Sequence, residues 1–197
     1  MENSFNNFWD WWSSPNPMAA DSVISNTRDV FQSRLDRFCM DLIKKKYSEN
    51  EVALLGAIIG EIGNNSFDHN LGLWRDVSGC WFHYSIGNKE VQVNLADRGV
   101  GFLKSLKRVV PTLVSDQDAM EMAFEKRISG RAPEKRGNGL KFVRQIINGN
   151  ANRALYCFSG KGKLHLGGLN KKQLDQLSPD ARRHGVLMVI LWKQNEN

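Results

Sequence analysis

The sequence has little cysteine and no long apolar segment. Its three cysteines lie far apart and form no CxxC pair, which argues against a disulfide framework or a zinc site and favours free thiols in a reducing compartment. The longest apolar run, Val186 to Trp192, is too short to cross a bilayer. The amino-terminal residues lack a basic stretch followed by an apolar one, which argues against a secretion signal. These absences predict a cytoplasmic protein that does not insert into a membrane.

The charge is positive, with a net value of +6 at pH 7 and an isoelectric point near 9.3. Such a balance is typical of proteins with an anionic partner, which here includes nucleotide phosphate, nucleic acid and an acidic protein. A solvated surface rich in lysine is the simpler alternative. The sequence has no aromatic stacking pattern and no recognition motif that would favour nucleic acid.

The chain divides into an aromatic tail, residues 1–18, and one domain, residues 19–197. The tail concentrates phenylalanine and tryptophan ahead of a Ser-Ser-Pro-Asn-Pro stretch, and its prolines mark a boundary. Two interpretations stay open for this tail, because its aromatic side chains can pack against their own domain or against a second subunit.

Apolar periodicity predicts an α/β fold. It indicates a long helix from Asp21 to Tyr47 and a second helix that begins near Glu51. Further short helices are expected, and a polar insertion with helical character spans about residues 170–183. Strands are predicted at Cys80–Ile86, Val91–Ala96, Arg153–Phe158, Lys163–Leu166 and Val186–Trp192. This order predicts a two-layer α/β sandwich with a mixed sheet and helices on one face.

A carboxylate and a carboxamide stand out on the second predicted helix. Glu61 and Asn65 are four residues apart, so on a helix they project from the same face. Such a pair can activate a hydroxyl group and hold Mg²⁺, which prefers oxygen ligands. A polar helix edge at the surface is the equally simple alternative.

Two glycine-containing motifs follow. Asp97 lies at the end of an apolar strand and precedes Gly99 and Gly101. Its carboxylate can accept a hydrogen bond from an exocyclic amine, while the glycines let backbone approach a ligand. Gly137 and Gly139 lie directly before a predicted helix, where free N–H groups and the helix dipole favour phosphate. A plain turn and a plain loop end are the alternatives.

In this order and spacing, the three motifs resemble the N box, G1 box and G2 box of the GHKL superfamily of ATP-binding proteins, over roughly residues 51–192. The first motif is closest to that of the anti-sigma-factor serine kinases, Glu-x-x-x-Asn-Ala-x-x-His, with Ser66 in place of alanine. The resemblance implies a sandwich of the GHKL (Bergerat) type that binds ATP and Mg²⁺. It implies Glu61 as general base, Asn65 as Mg²⁺ ligand and Asp97 as acceptor for the adenine amine. It assigns the remaining nucleotide contacts to Gly99, Gly101, Gly137, Gly139 and Leu140, beneath a lid of about residues 103–136.

The resemblance implies a regulatory ATP-binding protein with serine-kinase activity toward a small protein partner. A self-phosphorylating histidine kinase is not expected, because all four histidines lie within or after the first motif. Two alternatives are a nucleotide-gated interaction module without catalysis and a slow ATPase. Related kinases dimerise, so the resemblance also raises a homodimer, and it names neither the partner nor the phosphoacceptor.

Overall fold

The computed structural model of the chain describes residues 2–15, 17–18, 21–125, 138–175 and 185–194. None of the helices within these ranges is long and apolar enough to cross a membrane. In chain order, the elements are α1 (Glu2–Ser13), β1 (Ile24–Ser25), α2 (Arg28–Lys44), α3 (Glu49–Asn70), β2 (Cys80–Ile86), β3 (Glu90–Asp97), α4 (Gly101–Leu106), α5 (Asp116–Glu125), α6 (Gly139–Asn148), β4 (Arg153–Ser159), β5 (Gly162–Gly167), α7 (Lys172–Asp175) and β6 (Leu187–Lys193).

The sheet is antiparallel, and the prediction of a mixed sheet is wrong for the described residues. Six strands lie in the order β1-β2-β3-β6-β4-β5, and every neighbouring pair is antiparallel. Helices α4, α5 and α6 lie between β3 and β4 in the chain. These two strands run parallel to each other but do not pair. The last strand, β6, lies between them and pairs antiparallel with both, which periodicity along the chain does not reveal.

Helices cover both faces of the sheet, so the prediction of helices on one face is also wrong. One face packs against α2, α3, α5 and α6. The other face packs against α1, whose Phe8, Trp11 and Trp12 are buried over alternate residues of the strands. Because every residue of β4 is buried, neither side of this strand is left for water, and the tail predicted from residues 1–18 supplies the second cover.

Side-chain caps set where α2 and α3 begin, and α3 carries the first motif. The side chain of Thr27 accepts a hydrogen bond from the backbone N–H of Val30, so α2 begins later than the predicted Asp21. The residues before it pair instead with the edge of β2 as β1. Ser48 and Glu51 form a capping box at the start of α3, and α3 continues to Asn70, past the whole first motif.

Three glycines of α3 let this helix approach α2 closely. A Cβ at Gly56 would lie 3.2 Å from the sulfur of Cys39, and one at Gly60 would lie 3.5 Å from a methyl group of Leu35. A Cβ at Gly63 would lie only 2.0 Å from the ring of Phe31. The space at Gly63 is therefore filled, whereas the space at Gly60 accepts a methyl group in ordinary contact.

We expect Gly63→Ala to lower the free energy of unfolding by about 1–3 kcal/mol, because the added methyl group overpacks against Phe31. Gly60→Ala, three residues earlier in the same helix, is the matched control. It should stabilise the chain by up to about 1 kcal/mol, since alanine favours helix over glycine. Urea unfolding of both variants measures the difference, and equal effects of the two substitutions would contradict the packing described.

Candidate functional site

The first and third motifs meet between α3 and α6. Glu61 is exposed and Asn65 is half-buried, one turn apart on α3. The Glu61 carboxylate lies against the start of α6, where a Cβ at Gly139 would stand 2.1 Å from Glu61 Oε2. With Glu61 in this position, position 139 has no room for a side chain, and two segments 78 residues apart in the sequence share one small region.

Asp97, the last residue of β3, is buried, with 4% of its surface exposed. Its Oδ1 accepts hydrogen bonds from the backbone N–H of Gly99 at 2.9 Å and from Asn70 Nδ2 at 3.1 Å. Burial raises the pKa of this carboxyl group to about 6, and hydrogen bonds from Gly99, Ser66 and Asn70 offset only part of the effect. Asp97 therefore holds a proton more tightly than an ordinary carboxylate does.

Asn70 joins the first motif to the second, and sequence reasoning missed it. Its Nδ2 also donates to the carbonyl of Ser66 at 2.8 Å, and its Oδ1 accepts from the backbone N–H of Val100 at 2.9 Å. A Cβ at Gly99 would stand 1.8 Å from Asn70 Oδ1, so glycine is needed there to let the amide reach the turn. The sequence does show this amide directly after His69, where the first motif ends, and one helical turn after Ser66.

The turn after Asp97 is also held from the side of the sheet. Gly101 has a φ of 72°, a left-handed conformation that favours glycine. Ser159, at the end of β4, accepts a hydrogen bond from the backbone N–H of Phe102 at 3.2 Å and donates one to the carbonyl of Gly185 at 2.9 Å. The turn is therefore fixed to α3 on one side and to the ends of β4 and β6 on the other.

The third motif lies only partly within the described residues. Gly139 is the first residue of α6, and Leu140 is half-buried and packs against the core. Gly137 lies outside the described residues, as do residues 126–136 of the predicted lid. The described part of the lid contains the end of α4 and all of α5, which share a small apolar cluster. Of the predicted insertion, residues 172–175 form α7, and residues 176–183 lie outside the description.

Two cations of α6, Lys141 and Arg144, lie directly after the predicted lid. Lys141 is exposed on α6. Arg144 forms an ion pair with Glu125 at 2.9 Å, which joins α6 to the end of α5. The cations in the second part of the predicted lid lie outside the described residues: Lys126, Arg127, Arg131, Lys135 and Arg136.

A cavity of 630 Å³ borders the turn that follows Asp97. This volume suits a small molecule, but Glu61, Asn65 and Asp97 do not line it. Its cations Lys104, Lys107 and Arg108 lie within the predicted lid, but sequence reasoning did not name them as site residues. The cavity is lined by Val100, Gly101, Leu103, Lys104, Lys107, Arg108, Asp116, Ser159, Gly160 and Gly185.

These elements define an α/β sandwich with an antiparallel sheet and a cluster of polar residues at the end of α3. No protein-family model matches the sequence, and no curated protein matches it either. The resemblance to the GHKL superfamily therefore stays a prediction. Within the described residues, Glu61 contacts Gly139, and Asn70 donates a hydrogen bond to Asp97.

Asp97 predicts a dependence of stability on pH. The pKa of Asp97 rises from 3.8 to about 6 on folding, so its protonated form stabilises the folded chain. This contribution is complete below pH 3.8 and is lost as the pH rises through about 6, with a total of about 3 kcal/mol. In Asp97→Asn the contribution is absent. The free energy of unfolding of the variant, minus that of the wild type, should rise by about 2–3 kcal/mol between about pH 4 and pH 7. A constant difference in urea unfolding would contradict the burial of a titrating carboxyl group.

Proposed function

We propose that this protein binds ATP with Mg²⁺ and transfers the γ-phosphate to a serine of a small protein partner. One observation carries the proposal: the three motifs that resemble nucleotide-binding boxes converge at one end of α3. Asn70 bonds to Asp97 at 3.1 Å, and Glu61 lies against Gly139. A chance combination of three short patterns gives no reason for these contacts.

Asp97 suits the recognition of adenine in this proposal. A buried carboxylate of fixed orientation accepts a hydrogen bond from an exocyclic amine, and such a bond is strong where water is excluded. Asn70 and the backbone N–H of Gly99 already hold its Oδ1 in place. Because the amine donates to the ionised form, ATP binding should lower the pKa of Asp97 from about 6.

Glu61 and Asn65 suit the phosphate end of the nucleotide. Mg²⁺ takes oxygen ligands, and in nucleotide sites it is held by one or two protein groups together with phosphate oxygens and water. Asn65 supplies an amide oxygen beside the exposed Glu61 carboxylate. The backbone N–H groups at the start of α6, with Gly139 and Leu140, favour phosphate.

Glu61 acts as the general base. It accepts the proton of the serine hydroxyl as the serine oxygen attacks the γ-phosphorus, while the bond between that phosphorus and the bridging oxygen breaks and ADP leaves. Positioning and charge stabilisation supply most of the catalysis in phosphoryl transfer, which fits a site built on the ends of α3, β3 and α6.

A nucleotide-gated interaction module is the second candidate. The closeness of Glu61 Oε2 to Gly139 favours it. A carboxylate in contact with the start of α6 can change that contact when nucleotide binds, and it need not accept a proton to do so. Glu61 separates the two candidates, since only the kinase needs it as a base.

The test follows the label of γ-labelled ATP with Mg²⁺ in native cell lysate to which purified protein is added. We expect label on one small protein with the wild type, and a loss of about 100-fold or more with Glu61→Gln, which cannot take the proton. ATP affinity should survive in Glu61→Gln and fall in Asp97→Ala. Label released as phosphate would favour a slow ATPase. Binding without transfer would favour the interaction module, and no binding of ATP by the wild type would overturn the whole proposal.

A further inference from the structure

Arg98, the residue next to Asp97, faces the opposite side of the sheet. Consecutive residues at the end of a strand point to opposite faces. Asp97 therefore bonds to Asn70 of α3, while the Arg98 side chain reaches α1 on the other face. Only 4% of the surface of Arg98 is exposed, so its charge needs partners nearby.

Three of these partners are carbonyl groups at the carboxyl end of α1. Arg98 Nη1 donates to the carbonyls of Trp11 at 2.6 Å and Trp12 at 2.9 Å, and Nη2 donates to that of Ser14 at 2.8 Å. The last carbonyls of a helix have no partner within it, and a positive charge is favourable at that end. The guanidinium also lies 5.7 Å from the centre of the Trp11 ring. Arg98 therefore caps α1.

Asp76 completes the arrangement from the segment between α3 and β2. Its two carboxylate oxygens accept hydrogen bonds from Arg98 Nε at 2.8 Å and Nη2 at 2.6 Å. These bonds lower the pKa of Asp76 below its ordinary value. The guanidinium is thus held by α1 and by Asp76 at the same time.

Apolar contacts hold α1 in the same place. Phe8, Trp11 and Trp12 are buried against the sheet. The ring of Trp11 lies 5.3 Å from that of Trp81, and the ring of Trp9 lies 5.4 Å from that of Phe158, measured between centres. If α1 leaves this face, Arg98 loses three fixed acceptors to mobile water, and only Asp76 still orients its guanidinium.

We propose that Arg98 is a positioning residue through which α1 holds the Asp97–Gly101 turn, so that docking of α1 and binding of ATP favour each other. The coupling rests on the proposed function, because it concerns the same turn. Asp97 and Arg98 share one planar peptide unit. A movement of Arg98 therefore shifts the carboxylate that Asn70 and Gly99 orient. Coupling of this kind is reciprocal: whatever α1 contributes to ATP affinity, ATP contributes to the docking of α1.

The experiment compares the full-length wild type with Arg98→Gln, which removes the charge but keeps a polar side chain. ATP affinity with Mg²⁺ is measured by calorimetry, and hydrogen exchange of the α1 amides is followed with and without ATP. We expect ATP to slow exchange in α1 of the wild type and ATP affinity to fall at least about fivefold in Arg98→Gln. Arg37→Gln, which removes an exposed arginine on α2, is the matched control and should behave as the wild type.

Trp9→Ala is the second variant, because Arg98→Gln alone could lower stability without a specific effect on the turn. Trp9 packs on Trp12 and Phe158, so its removal loosens α1 without substituting Arg98 or any residue of the turn. Faster exchange in α1 together with at least about fivefold weaker ATP binding would support the coupling. Faster exchange in α1 with unchanged ATP affinity, in both variants, would overturn it. A wild type that does not bind ATP at all would overturn the proposed function, and the coupling with it.

Discussion

The arrangement of Asp97, Arg98 and their partners depends on one constraint. Side chains alternate between the two faces at the end of β3, and both faces are covered there. Asp97 is directed to the α3 side and Arg98 to the α1 side, and neither side offers water. Each group must therefore find its partners within the protein. Asp97 finds Asn70 and the turn that follows it, and Arg98 finds the carbonyls of α1 and the carboxylate of Asp76. Two polar residues thus join the outer layers through the sheet.

The same constraint explains the glycines of this region. The turn after β3 passes so close to Asn70 that a side chain at Gly99 would collide with the amide, and Gly101 has a backbone conformation that favours glycine. At α6, Gly139 leaves room for the carboxylate of Glu61. Each glycine lets backbone approach a polar side chain from another element. The arrangement is therefore held by contacts within the chain itself.

Charge is unevenly distributed around the turn. On the α1 side, Arg98 is neutralised by Asp76 and by helix carbonyls. On the side of α4, Lys104, Lys107 and Arg108 line an open cavity with Asp116 as its acidic member. The cavity adds positive potential beside Gly101 without contacting Glu61, Asn65 or Asp97. Part of the net charge of +6 thus lies beside the turn, where its potential favours anions.

Local pattern by itself determined β2 and β3 nearly to the residue, because alternation depends on neighbours in the chain. It also revealed the three motifs, whose roles in one nucleotide site are what the resemblance implies. Only the tertiary structure decided that the sheet is antiparallel, that α1 forms its second cover, that Asn70 bonds to the turn after Asp97, and that Arg98 bonds to the end of α1. These features depend on which distant segments meet: β6 lies between β3 and β4, and the three carbonyl acceptors of Arg98 are more than 80 residues away at the end of α1. No pattern within a short window carries that information.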